Sequence, residues 1–415
     1  MVVIIFLVGL VLAGLLLTTW QVILVLRLLG RARHQHPVLA IGENPHCLES
    51  NGRFENERTE PLVSILKPLS GLEDEIEENL LSFSNLQGIT HEIILSVADP
   101  DDPALDVIAR IQARFSGSNF SVVIGGGGGT PNPKVERLVA AARRSRGQIL
   151  FISDSNIRVS PGDIAATVAA FRDPEVGCVS NLFIGDGART LGAMIESLHL
   201  ISFVLPGCVF ANWAGVPCLV GKSMAISREA YLAIGGFEAF GNVLAEDQAM
   251  AIAIKRAGYK LELSSTGVRN VIVGRSLRGA LGRQVRWNKI RYAFSKLAYT
   301  SEFLVNPLPL SLLLCAGSCL LKPSALHGVL VLAAATSAVR FLQVLILMRT
   351  TMLRSNWRQA LLAPLQDLLQ FAAQFSAYFS NEVNWRGHRA RLGRGSAMLM
   401  PESQAPPGAL GPTPT

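Results

Sequence analysis

Carboxylates stand where apolar strands end. The run 92–98 opens into Asp99-Pro100-Asp101-Asp102-Pro103, and the run 148–153 opens into Asp154-Ser155-Asn156. A third acidic site, Glu246-Asp247, follows Gly235-Gly236-Phe237 and a loop, and a helical pattern over 248–256 comes after it. Residues 263–301 hold no Asp or Glu but eight basic residues: Arg269, Arg275, Arg278, Arg283, Arg286, Lys289, Arg291 and Lys296. In the string Arg283-Gln284-Val285-Arg286-Trp287 two guanidiniums share one helix face, three residues apart, beside an indole. Each feature has a plain structural use. Asp102 can cap a helix with Pro103 in its first turn, and Asp154 can close an Asx-turn. Glu246 and Asp247 suit a helix N-terminus, and the basic segment suits a solvated or lipid-facing helix. Together they also meet the needs of one reaction, transfer of a sugar from a nucleotide diphosphate. That reaction asks for a carboxylate on the base or ribose and another on Mg²⁺ or Mn²⁺, which take oxygen ligands. It also asks for a base on the attacking hydroxyl and for cations on the departing diphosphate, where Arg binds in a bidentate manner.

The elements that must hold these groups read as an α/β domain over residues 61–300. Strands are expected at 63–66, 92–98, 121–124 and 148–153, and helices at 104–115, 134–144 and 163–171. Their alternation implies βαβ units and a largely parallel sheet, which binds ligands at the carboxyl ends of its strands.

Apolar sequence flanks this domain. Mean hydropathy is +0.35, and 17% of residues are charged, against about 25% in a typical soluble domain. Residues 2–26 carry no charge and are long enough to span a bilayer. Arg27, Arg31 and Arg33 follow, so residues 1–28 read as a permanent N-terminal helix rather than a cleaved signal. The positive-inside rule then puts the catalytic domain in the cytoplasm. Residues 29–60 read as a linker. Within 301–395, two spans are expected at 303–321, kinked by Pro307 and Pro309, and at 325–348, interrupted by Arg340. They form a hairpin about Lys322-Pro323. The stretch 360–379 contains Asp367 and has basic residues on both sides, which favours an interfacial or re-entrant helix. Residues 396–415 read as a disordered, Pro-rich tail.

The net charge of +7 suits an anionic membrane surface. Nucleic-acid binding would account for that charge but not for the apolar ends. The six cysteines have neither CxxC nor paired spacing, which argues against a disulfide framework or zinc. The five glycines at 125–129 lack the spacing of a nucleotide loop and read as a connector. His199 lies in an apolar helical stretch and reads as a packed histidine, with a lipid-hydroxyl contact as the other use. Trp213 either lines an acceptor groove or packs.

The combination of Asp102, Asp154 and Asp247 with Arg283-Gln284-Val285-Arg286-Trp287 resembles the motif set of membrane-bound GT-A glycosyltransferases. More narrowly, it is similar to the ceramide glucosyltransferase family, over about residues 1–395. Val63-Ser64-Ile65-Leu66-Lys67-Pro68-Leu69-Ser70-Gly71, Asn132-Pro133-Lys134-Val135, Ser153-Asp154-Ser155-Asn156-Ile157-Arg158-Val159, Leu244-Ala245-Glu246-Asp247 and Trp385-Arg386-Gly387-His388-Arg389 carry that likeness.

The resemblance implies a GT-A domain between membrane helices, and inverting transfer of glucose from UDP-glucose to the primary hydroxyl of ceramide. It implies that Asp99, Asp102, Lys134, Asp154, Arg283, Gln284, Arg286 and Trp287 bind the UDP-sugar. Asp154 would hold Mg²⁺ or Mn²⁺, and Asp247 would be the general base. Two departures are visible. Asp154-Ser155-Asn156 has one strong carboxylate where Asp-x-Asp has two, which leaves metal geometry and strict metal dependence open. Glu136-Arg137 follows Val135, which leaves Lys134 either a phosphate contact or a pair with Glu136. Transfer to a hopanoid or other lipid, or from another UDP-sugar, would use the same motifs. A processive polysaccharide synthase would need a channel of more spans. The reading of another class is a membrane transporter or binding protein, against which stand the few intramembrane charges and the lack of an inverted repeat. A bacterial inner membrane is expected, and a Golgi-type membrane would look similar.

Overall fold

Every residue from Val63 to Pro68 is buried, as a strand covered on both faces of a sheet requires. This is β1 in a computed structural model that describes residues 2–35, 61–115, 120–126, 129–351, 357–385 and 388–399. Residues 36–60 of the expected linker, the centre of the glycine run, Arg354, Arg386 and the tail from Met400 lie outside the described residues.

The chain begins with α1 (Val2–Gln35) and passes to β1 (Val63–Pro68), α2 (Ile76–Leu81), β2 (His91–Val97), α3 (Ala104–Arg114), β3 (Phe120–Ile124) and α4 (Pro133–Arg144). It continues through β4 (Ile149–Ser153), β5 (Ile157–Arg158), α5 (Asp163–Val168), β6 (Val176–Asp186), α6 (Leu191–His199) and α7 (Leu205–Trp213). Next come β7 (Ser223–Ser227), α8 (Arg228–Ala233), α9 (Glu246–Arg256) and β8 (Lys260–Val271). The remainder is α10 (Leu277–Phe294), α11 (Lys296–Ser301), α12 (Pro307–Leu321), α13 (Leu326–Thr351), α14 (Ala363–Phe379), β9 (Glu382–Trp385), β10 (His388–Leu392) and β11 (Met398–Leu399).

Eight strands form one sheet in the order β3-β2-β1-β4-β7-β6-β8-β5. The four expected strands are its parallel half. The expectation of a largely parallel sheet holds throughout that half, whereas the other half is mixed. β7 runs antiparallel to both β4 and β6, and β5 antiparallel to β8. β6 and β8 are parallel. Alternate strand residues serve opposite cores, as the two-residue period demands. Ile65, Ile93, Leu95 and Phe151 pack with α2, α3 and α5 residues such as Leu80, Ile108 and Ile164. Leu66, Ile94, Leu150 and Ile152 pack with α4 and α9 residues such as Leu138, Val139, Met250 and Ile254.

Among the described residues, three helical stretches are long and apolar enough to cross a membrane: 2–30, 191–213 and 323–351. The stretch 191–213 is mostly buried within the protein. The expected span from Phe303 is bent instead. The stretch 296–305 meets 307–320 at 74°, where Asn306 Nδ2 bonds Gln374 Oε1 at 3.1 Å and Pro307 opens α12. α14 has its polar side inward. Gln366, Asp367, Gln370 and Gln374 are buried, whereas Leu365, Leu368, Phe375 and Phe379 are exposed. Asp367 receives Arg340 of α13 through two hydrogen bonds of 2.8 and 3.0 Å, which pairs the charge that interrupts that helix. Residues 396–399 of the expected tail are ordered. β11 pairs with β10, and Ser396 accepts the N–H groups of Leu244 and Ala245.

Asp163 opens α5 with its Oδ2 on the Ser160 N–H at 2.6 Å. Burial outweighs that bond and the charge of Arg269, and pushes its pKa up to about 6. A carboxyl whose folded pKa exceeds its unfolded value supports folding at low pH, and this support is lost as pH rises through the folded pKa. Wild type should therefore lose melting temperature relative to Asp163→Asn between about pH 4 and pH 7. A difference independent of pH would rule the effect out.

Candidate active site

The sheet places the chemistry on one edge. β1, β2 and β4 are parallel, so Leu69, Asp99 and Asp154 emerge together. β7 runs the other way, with Ser223 opposite Ser153, so Gly221 and Lys222 reach the same edge just before β7 begins. α4 starts there because Asn132 caps it, its Oδ1 accepting the N–H groups of Lys134 and Val135 ahead of Pro133 at the first turn. The same amide donates to Val243 O at 2.7 Å and so ties α4 to the segment leading into α9. α9 begins at Glu246, so Glu246 and Asp247 occupy its first turn.

These elements converge on Lys134. Its Nζ lies 2.9 Å from Asp154 Oδ1 and 2.9 Å from Glu246 Oε1, and donates to Gly221 O at 2.9 Å. Its partners are thus Asp154 and Glu246 rather than Glu136. Burial alone would lower the pKa of Lys134, but Asp154, Glu246 and Asp247 outweigh it and the pKa is raised. Lys222 Nζ stands 3.6 Å from Asp154 Oδ2 and donates to Asn270 Oδ1 at 3.2 Å. Beneath them, Lys67 is fully buried, donates to Ser153 Oγ at 3.0 Å and Asp154 O at 3.1 Å, and lies over the Phe83 ring at 3.8 Å. Burial pushes its pKa down to about 7, against the pull of Asp154.

Asp247 accepts the Gly221 N–H on Oδ2 at 2.7 Å and the Gln248 N–H on Oδ1 at 2.8 Å. A Cβ on Gly221 would come within 2.8 Å of the Asp247 Cβ, so the approach needs glycine. Two N–H bonds orient this carboxylate and leave acceptor capacity on each oxygen.

The other expected residues divide. Asp99 is exposed at the end of β2 and accepts the Asp101 N–H. Asp102 is structural as well as near the site. Its carboxylate takes the Gly71 N–H at 3.0 Å and the Ala104 N–H at 2.9 Å, joining the β1 loop to the start of α3. Arg283 pairs with Glu196 at 3.3 Å and lies close enough to act on the charge of Lys222. Arg275, Arg283, Arg286 and Lys289 line a cleft of about 390 Å³ with Glu382 and Asn384. Trp287 packs on the sheet core and stacks on His199 at 5.8 Å between ring centres. Gln284 does not reach this cleft side. It is buried and donates to Gln366 Oε1 of α14 at 3.2 Å. His199 is a packed histidine, fully buried with Nδ1 3.0 Å from Gln366 Nε2. Trp213 is exposed and meets Trp20 of α1 at 5.7 Å.

Glu196, Lys67, Lys222 and Gly221 are not among the candidates that the sequence offers. Glu196 had a visible signal, a lone acid in the apolar stretch 191–205. It is 1% exposed and holds Arg275 at 3.2 Å as well as Arg283. Gly192 allows this, since a Cβ there would lie 2.3 Å from the Ser276 carbonyl carbon, at the start of α10.

The expected divalent ion does not fit this arrangement as it stands. Mg²⁺ usually binds through one or two carboxylates plus phosphate oxygens. Here both Asp154 oxygens face ammonium groups. Among the described residues no three His, Cys, Asp or Glu side chains form a metal-holding group.

Known proteins are similar to this chain in sequence and in fold. "Ceramide glucosyltransferase 1" of Caenorhabditis elegans is 26% identical over 244 residues, 58% of this chain and 52% of that one. "N-acetylglucosaminyltransferase" of Rhizobium meliloti is 23% identical over 241 residues, 52% of this chain and 55% of that one. The chain thus spans about half the length of these curated relatives. Among solved structures, a mannosyltransferase from Pyrobaculum calidifontis in complex with GDP-Man and Mn²⁺ aligns with a TM-score of 0.51 at 15% identity, over 88% of this chain and 99% of that one. The fold is that of a GT-A glycosyltransferase. The match of residues 35–398 to Glycosyl transferase family 21 sets aside the transporter reading, and the chain belongs to that glycosyltransferase family.

Proposed function

We propose that this enzyme transfers glucose from UDP-glucose to the primary hydroxyl of a ceramide-like membrane lipid, with inversion at the anomeric carbon. The observation that carries the reading is the meeting of Asp247, Lys134 and Asp154 at the carboxyl edge of the sheet, beside the Arg283 and Arg286 cleft. Family membership and the ceramide glucosyltransferase relatives support the sugar and the lipid.

In this mechanism Asp99 and the loop at Gly71 take the nucleoside end, and the Arg283 and Arg286 guanidiniums take the diphosphate. Asp247 removes the proton of the lipid hydroxyl, and the oxygen attacks the anomeric carbon from the face opposite UDP. One displacement without a covalent intermediate converts an α-linked donor into a β-glycoside.

The lipid reaches the site from a membrane that α1 and α13 cross. The exposed apolar side of α14 and exposed Trp213 lie against it, and the catalytic domain faces the cytoplasm. The N-acetylglucosaminyltransferase relatives favour a second donor, UDP-GlcNAc.

Membranes holding the full chain, supplied with labelled UDP-sugars and ceramide, hopanoid or diacylglycerol, should yield hexosylceramide by mass spectrometry. A product formed only on another lipid, or only from another sugar, would falsify the assignment. Asp247→Asn should abolish transfer and retain UDP-sugar binding, and full turnover by that variant would remove Asp247 as the base. Glu196→Gln leaves two guanidiniums without their buried anion and should raise the donor KM about tenfold or more. An unchanged KM would show that Glu196 does not orient the Arg pair.

A further inference from the structure

Where the sequence leads one to expect a divalent ion, the structure has an ammonium. Lys134 Nζ touches Asp154, Glu246 and Gly221 O, each at 2.9 Å. Three acceptors match the three N–H bonds of an ammonium. Lys222 approaches the second Asp154 oxygen. A metal ion binding Asp154 would share each of its oxygens with an ammonium group and meet the repulsion of two positive charges. The two lysines carry the same charge as one Mg²⁺ or Mn²⁺. Their two positive charges balance those of Asp154 and Glu246 and leave a net charge of one negative with Asp247 included. The neutralised pocket lets a diphosphate approach the carboxylates without the repulsion that a bare Asp154 and Glu246 would exert.

Resting on the UDP-sugar reading above, we propose that Lys134, with Lys222, is the resident cation of this site, so that donor binding and transfer proceed without a divalent ion. In the transfer step the bond from the lipid oxygen to the anomeric carbon forms. The bond from that carbon to the β-phosphate oxygen breaks, with its electron pair going to UDP. The hydroxyl proton goes to Asp247. The charge gained by UDP is met by Lys134, whose side chain is 16% exposed, and by the arginines of the cleft.

The test uses the full chain in detergent or nanodiscs. UDP affinity is measured by calorimetry in EDTA and in Mn²⁺, and Mn²⁺ binding by electron paramagnetic resonance without nucleotide. Wild type should bind UDP equally in both buffers, within about threefold, and should hold no Mn²⁺. Lys134→Met should lose about 10- to 100-fold in UDP affinity in EDTA. It should also bind Mn²⁺, gain melting temperature from it and recover UDP affinity with it. Lys134→Arg, which keeps the charge, should stay closer to wild type than Lys134→Met. Loss of wild-type UDP binding in EDTA with recovery in Mn²⁺ would overturn the resident cation and leave the nucleotide site standing. No UDP binding in either buffer would overturn both. The wild-type arms decide the matter even where Lys134→Met does not fold.

Discussion

Carboxylates at the edge of a dry sheet must have cations, and this one requirement organises the catalytic domain. Asp154 and Glu246 come from β4 and α9, and the ammonium that joins them comes from α4. Removing one partner of such a buried set costs about 3–5 kcal/mol, so each element fixes the other two. Asn132 extends the tie by capping α4 and holding Val243 O. Gly221 extends it again, its carbonyl on Lys134 and its N–H on Asp247. Asp247 is thereby placed by the same network that balances the charge.

A second pairing joins this edge to the helices outside the sheet. Glu196 draws Arg275 and Arg283 toward α6, and Gln284 and Asn288 on the same helix bond Gln366 and Gln370 of α14. One face of α10 therefore serves the cleft, and the next serves the C-terminal helices. A sugar nucleotide from water and a lipid from the membrane would meet across a single helix.

The parallel half of the sheet was legible because its strands are short, largely apolar runs, two of which end in acids at Asp99 and Asp154. The antiparallel half was not. Ser223–Ser227 is short and weakly apolar, and β8 carries Ser264, Ser265, Thr266 and Gly267 in mid-strand. Asp154, Asp247 and Lys134 could be named from motif and chemistry. Their convergence could not, because it runs through Glu246, which lies more than a hundred residues after Lys134, and depends on where α9 begins. Gln284 shows the limit of motif spacing. It stands within the Arg283 to Trp287 string, yet the helical turn aims it at α14. Glu196 could be noticed only as an acid among apolar neighbours, and nothing local revealed its two arginines.

The inward polarity of α14 bears on how the chain is assembled. A helix with Gln366, Asp367, Gln370 and Gln374 on its hidden side has no stable resting place in lipid by itself, since those groups would lack partners. It needs α10 and α13 to be present first. Arg340 in turn has no anion until α14 arrives. α10 and the cleft it lines gain their backing when α14 docks. Docking of α14 thus backs the helix that lines the cleft as well as pairing the charge of α13.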